Sequence, residues 1–88
     1  MIAVTDRAKE VLKTILMATE ADPDKRLRIL PSAGGTFVLT VDSELSGDQV
    51  VEFEGRKVLL VGIEYFRIFA GATLDCRDTE DGAILFIR

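Results

Sequence analysis

Leu27-Arg28-Ile29-Leu30-Pro31-Ser32-Ala33-Gly34-Gly35-Thr36-Phe37-Val38-Leu39-Thr40-Val41 is the stretch on which the reading of this chain turns. Leu27 and Ile29 alternate with Arg28, a period of two that belongs to a strand with one buried face. Pro31 stops that strand. Ser32 to Gly35 reads as a tight turn or bulge, because paired glycines accept positive φ at no steric cost. The alternation resumes at Thr36, with Phe37, Leu39 and Val41 on one face and Thr36 and Thr40 on the other. Two strands about a glycine turn predict a β core.

Upstream the period is helical. Ile2-Ala3-Val4 reads as a short strand, and Thr5 as an N-cap whose hydroxyl accepts from an orphan amide of the first turn. Asp6 follows, where a negative charge suits the helix dipole. Ala8, Val11, Leu12, Ile15 and Leu16 form one apolar stripe, with Arg7, Lys9, Glu10, Lys13 and Thr14 on the other faces. The helix fades near Ala18, and residues 20–25 read as a polar loop broken by Pro23.

Downstream, Asp42 to Asp48 reads as a polar loop. Val50–Phe53 and Lys57–Val61 flank Glu54-Gly55-Arg56 as a hairpin. Glu64 to Ala70 could form a short second helix ended by Gly71 in a left-handed cap. Thr73–Asp78 and Ala83–Ile87 make a final hairpin around Thr79 to Gly82. The fold class expected is mainly β (α+β). A compact β-sandwich or partial barrel carries one N-terminal amphipathic helix and forms a single domain over residues 1–88.

Composition excludes several functions. At 88 residues the core is small. The net charge of −4, with basic residues scattered, argues against nucleic acid, whose binding needs clustered Lys and Arg. No apolar run is long enough to span a membrane, and no signal peptide is recognisable, so a cytoplasmic location is expected. Without histidine no Ser–His or Cys–His pair can form, and no nucleotide-binding loop is present, so no enzyme is expected.

Few residues qualify as sites. Cys76, the single cysteine, could be a metal or cluster ligand shared between two chains, or a small hydrophobe beside Leu74 on the inner face; free cysteines are commonly buried, which favours packing. Ser32 to Gly35 could be an anion nest, but a structural turn is favoured. Asp78, Glu80 and Asp81 lack the spacing of a calcium loop and read as a solvated hairpin tip. Tyr65, Phe66 and Phe69 supply bulk at helical spacing. Tyr65 and Phe66 are adjacent and cannot both face inward on one helix, which makes them candidates for protein interaction.

Several of these motifs, in this order, resemble the HesB/IscA family of A-type iron–sulfur carriers. Ile2-Ala3-Val4-Thr5-Asp6-Arg7-Ala8 is similar to that family's opening, and Leu27-Arg28-Ile29 to its Leu-Arg strand. Ser32-Ala33-Gly34-Gly35-Thr36-Phe37 occupies the place of its Cys-Ser-Gly loop. Phe53-Glu54-Gly55-Arg56-Lys57-Val58, Phe69-Ala70-Gly71-Ala72-Thr73-Leu74-Asp75-Cys76 and Gly82-Ala83-Ile84-Leu85-Phe86 resemble its later hairpins. The resemblance implies the HesB-like fold and a tendency to form homo-oligomers.

It also marks a departure. Members bind iron or a cluster through a cysteine in the glycine loop and a Cys-x-Cys near the C-terminus. Here Ser32 holds the loop position, and the stretch to Arg88 has no counterpart of the pair. Cys76 falls where the family has a core aromatic. The expectation is therefore a non-catalytic, HesB/IscA-like protein-interaction or accessory module related to iron–sulfur assembly, with protein partners and no cofactor. The alternative is residual iron or cluster binding through Cys76 across an oligomer.

Overall fold

Ala3–Val4 (β1) leads through Thr5 into the helix Asp6–Thr19 (α1), and this junction ties the two ends of the sequence together. Thr5 caps the helix as expected. Its Oγ1 accepts from the Ala8 amide at 3.2 Å and donates to Asp75 Oδ1 at 3.0 Å. The computed structural model describes residues 1–19 and 22–88, so the first two positions of the expected 20–25 loop lie outside it.

The remaining strands are Lys25–Pro31 (β2), Phe37–Ser43 (β3), Gln49–Phe53 (β4), Arg56–Val61 (β5), Thr73–Thr79 (β6) and Gly82–Ile87 (β7). They form two sheets, ordered β3-β2-β5-β4 and β1-β6-β7. Two pairs are parallel, β2 with β5 and β1 with β6; the others are antiparallel. The α+β fold class is as the sequence predicts. No helix among the described residues is long and apolar enough to cross a membrane.

Turn chemistry explains the hairpins. Glu54 and Gly55 both have positive φ (52° and 77°), the signature of the two-residue turn whose twist suits a hairpin. Gly34 and Gly35 also have positive φ (70° and 75°), which lets the chain reverse between β2 and β3.

The core lies between α1 and the sheets. Ala8, Leu12 and Leu16 are buried on the helix, facing Leu27, Ile29, Val51, Val58, Leu59 and Val61 from one sheet and Leu74 from the other. Phe37 and Leu39 pack against this core, whereas Val41, on edge strand β3, stays 36% exposed.

Two expectations are corrected. Residues 64–70 do not form one helix. A 3-10 turn over Ile63–Tyr65 precedes a single α turn, Phe66–Phe69 (α2), with no side-chain cap on either. The break falls at Tyr65, whose φ of −109° and ψ of 6° are not helical. It re-aims the two rings, so Tyr65 and Phe66 both pack half-buried against the core. Arg28, assigned by alternation to the outer face of β2, is only 5% exposed. Leu60, its neighbour across the β2–β5 ladder, is fully buried yet lies outside the main core cluster. The β3–β4 connection covers that outer face. An ideal Cβ built on Gly47 would sit 3.7 Å from Ile63 Cδ1, and Asp48 pairs with Arg28 beneath the connection.

Candidate functional site

The loop between β2 and β3 closes on its own backbone. The Ser32 amide donates to Thr36 O at 3.0 Å, the Thr36 amide to Ala33 O at 3.4 Å, and Thr36 Oγ1 to Ala33 O at 2.7 Å. One amide of the Ser32–Gly35 nest, that of Ser32, is thereby committed. Ser32 itself is exposed.

The fold brings this loop to the end of the last strand. Ser32, Gly35 and Thr36 face Ile68, Phe69 and Ile87 across a cleft of about 120 Å³. A shallower cleft of about 330 Å³ continues between Phe37 and Leu85–Ile87. Beyond Ile87 the backbone stays in register, with Arg88 N donating to Thr73 O and Thr73 N to Arg88 O, both at 2.9 Å. The loop position and the C-terminal strand, far apart in sequence, are therefore neighbours. The cleft's side-chain oxygens are the hydroxyls of Ser32 and Thr36; the rest of its lining is apolar or backbone.

Cys76 lies elsewhere on the sheet. It is in the middle of β6 opposite Leu85, on the face that carries Leu74, and is partly buried against the core. The carboxylates near it are engaged. Asp75 Oδ2 accepts from Arg88 Nε at 2.7 Å, and Oδ1 accepts from the Cys76 amide at 2.7 Å as well as from Thr5. Arg88, the Cys76 amide and Thr5 hold the Asp75 carboxyl below its ordinary range. Asp78 is bracketed by Arg7, Nε to Oδ2 at 3.2 Å and Nη2 to Oδ1 at 2.5 Å, and its carboxyl is likewise lowered. Glu80 and Asp81 are the two residues of the β6–β7 turn and are exposed. Among the described residues no three His, Cys, Asp or Glu side chains are grouped so as to hold a metal ion. Holding an iron–sulfur cluster calls for convergent thiolates, and Cys76 is the thiol this chain offers.

The interaction candidates Tyr65 and Phe66 are half-buried, while the adjoining Ile63 and Ile68 expose 63% and 61% of their surface. Sequence reasoning missed that pair, because it weighed only the aromatics. It also missed the ion network at Arg28. A charged residue inside the apolar run Leu27–Leu30 was the available signal.

No family model matches the sequence. Among curated proteins, the chain is 32% identical over 88 residues to the "Putative iron-sulfur cluster insertion protein ErpA" of Burkholderia mallei (strain SAVP1), covering 96% of this chain and 71% of that protein. Among solved structures it superposes on Escherichia coli SufA, described as involved in biosynthesis of iron–sulfur clusters. The TM-score is 0.75 and the identity 20%, over 99% of this chain and 83% of that one. It also superposes on IscA with a [2Fe-2S] cluster, with a TM-score of 0.62 and 18% identity over 100% and 81% of the two chains. Those two likenesses are likenesses of fold.

Proposed function

This chain belongs to the HesB/IscA-like family of A-type iron–sulfur biogenesis proteins, and from that premise we propose that it serves cluster assembly as a non-catalytic accessory or protein-interaction module and does not carry clusters on three cysteines. One observation carries the proposal. The loop that the family resemblance assigns to a cysteine ligand presents Ser32, whose hydroxyl is protonated and hard at neutral pH, beside an apolar strand end. Clusters are held by soft thiolates. Cys76, the one thiol of the sequence, is not among the residues lining the cleft at that loop, and its flanking carboxylates are already paired.

What the scaffold retains is surface. The edges of the two sheets are β3 and β4, and β1 and β7. Uncovered edges of short strands favour association with another chain, and a small core gains stability from it. The partner is a second copy of the chain or another protein of the assembly system, with Ile63, Tyr65, Phe66 and Ile68 as the contact patch. The domain spans residues 1–88 and works in the cytoplasm, where a lone free thiol such as Cys76 stays reduced.

A second reading rests on the partial exposure of Cys76. Two copies would each offer that sulfur to iron or a cluster as cargo. Anaerobic incubation with ferrous iron, sulfide and a thiol reductant separates the two. The accessory reading predicts that desalted protein is colourless, without thiolate-to-iron charge-transfer bands. A stably brown product would favour the second reading and contradict the first. Sedimentation velocity on the same sample is expected to show a dimer or larger species; a monomer across a wide concentration range would remove self-association.

A further inference from the structure

At the end of the molecule remote from the Ser32 loop, beside the last turn of α1, two adjoining clefts share Pro23, Arg26 and Arg56. One, of about 260 Å³, is also lined by Leu16, Met17 and Lys25. The other, of about 310 Å³, also touches Glu52 and Lys57. In a chain of net charge −4, four basic side chains line these clefts, with Glu52 and Asp22 the acids among the described residues. Glu52 is the rim carboxylate, opposite Lys57 in the β4–β5 ladder. Asp22 also lines the first cleft.

The two guanidinium groups differ from the other cations. Lys57 is paired with Glu44 at 2.8 Å, and Lys25 Nζ donates to Ser43 Oγ at 2.9 Å. Arg26 has no carboxylate partner among the described residues. Its Nη1 donates to the carbonyls of Pro23 and Lys25, at 2.5 and 2.8 Å, which fixes the group in place. Its Nε is buried with no acceptor, the one such side-chain atom among the described residues. That Nε is closed to solvent and so to a ligand as well, which leaves Nη2, donating to no described residue, as the guanidinium's donor toward the cleft. Arg56 is exposed and makes no side-chain hydrogen bond or ion pair with any described residue.

We infer that this cleft is a binding site for a small oxyanion ligand, a carboxylate or phosphate compound whose charged head is held by Arg26 and Arg56. Guanidinium groups suit such heads because their planar N–H fork matches two oxygens at once. The immobilised Arg26 supplies a preorganised donor, and Arg56, the first residue of β5, closes over the head. Met17, 58% exposed, and Leu16 give the rest of the ligand an apolar wall. Clefts of this size, at the low end for ligand sites, suit a small molecule. The inference is independent of how the chain relates to clusters.

Isothermal titration calorimetry on the full chain at low ionic strength tests it, with inorganic phosphate in one arm and citrate in the other. Saturable one-to-one binding is expected in at least one arm, and the arm that binds tells phosphate chemistry from polycarboxylate chemistry. Arg56→Gln, which removes no side-chain bond to any described residue and should unfold at the wild-type temperature, is expected to weaken binding at least about tenfold, the scale of one lost charge-assisted contact. Arg67→Gln removes the same charge from an exposed position on α2, beside the Ser32-loop cleft and away from Arg26 and Arg56, and should leave the affinity within about twofold. Absence of saturable binding in both arms overturns the inference. So does an Arg56→Gln protein that binds like wild type, or an Arg67→Gln protein weakened equally, which would reduce the attraction to overall charge.

Discussion

Asp48→Ala is expected to lower the unfolding free energy by about 3–5 kcal/mol, the usual cost of removing one partner from a buried ion pair. The Asp48 side chain is 2% exposed and that of Arg28 6%. The pair is bidentate, Nη1 to Oδ1 at 3.0 Å and Nη2 to Oδ2 at 2.7 Å. Asp42 accepts from Arg28 Nε at 2.8 Å, and Asp48 Oδ2 also accepts from the Leu45 amide at 2.7 Å. Alanine at 48 would leave Arg28 short of charge compensation and release the connection that covers Leu60. An 88-residue domain has a total stability of about 4–13 kcal/mol, so the loss would be a large part of it. Urea unfolding checks the value, and a loss below about 1 kcal/mol would contradict it. Replacing both partners with apolar residues of similar volume, Arg28→Met with Asp48→Leu, should cost much less than Asp48→Ala alone.

The same network predicts a pH dependence. Arg28 holds the Asp48 carboxyl below its ordinary range, and the Ser43 amide together with Arg28 does the same for Asp42. Carboxyls lowered in the folded state stabilise it fully above the unfolded value, about 3.9. That contribution is lost as pH falls through the lower folded value. Wild type should therefore lose stability more steeply than Asp48→Ala on going from neutral pH to about pH 3.

Leu12→Ala is expected to cost about 2–5 kcal/mol, the range for a large-to-small change in a packed core. Leu12 is fully buried at the centre of the helix stripe, and α1 contacts strands of both sheets. Truncation there opens a cavity where helix and sheets meet, and the sheets cannot close it without moving the helix. Met17→Ala, on the exposed side of the same helix, should stay within about 0.5 kcal/mol. Equal losses at the two positions would mean that α1 is not the clamp between the sheets.

Much of this architecture was legible because its signals are local. The Ala8–Leu12–Leu16 stripe, the Thr5 cap, the Glu54-Gly55 turn and the paired glycines at 34 and 35 each follow from neighbouring residues. Sheet order and the parallel pairings were not legible, since they depend on contacts distant in sequence. Arg28 shows the limit of period-two reasoning. A strand can bury its polar face when a later loop brings a matching acid, and Asp48 lies 20 residues away. At the candidate site, the substitution at Ser32 was readable from the family resemblance. Its proximity to Ile87, and the pairing of Asp75 with Arg88 and Thr5, required the fold.

The most direct test of the account is the iron and sulfide content of protein purified under strict exclusion of oxygen, measured for wild type and for Cys76→Ala in parallel. If the scaffold works without thiolate chelation, both preparations will contain far less than one iron per protomer and will not differ. About one iron per protomer in wild type, absent from Cys76→Ala, would show that the chain holds iron after all.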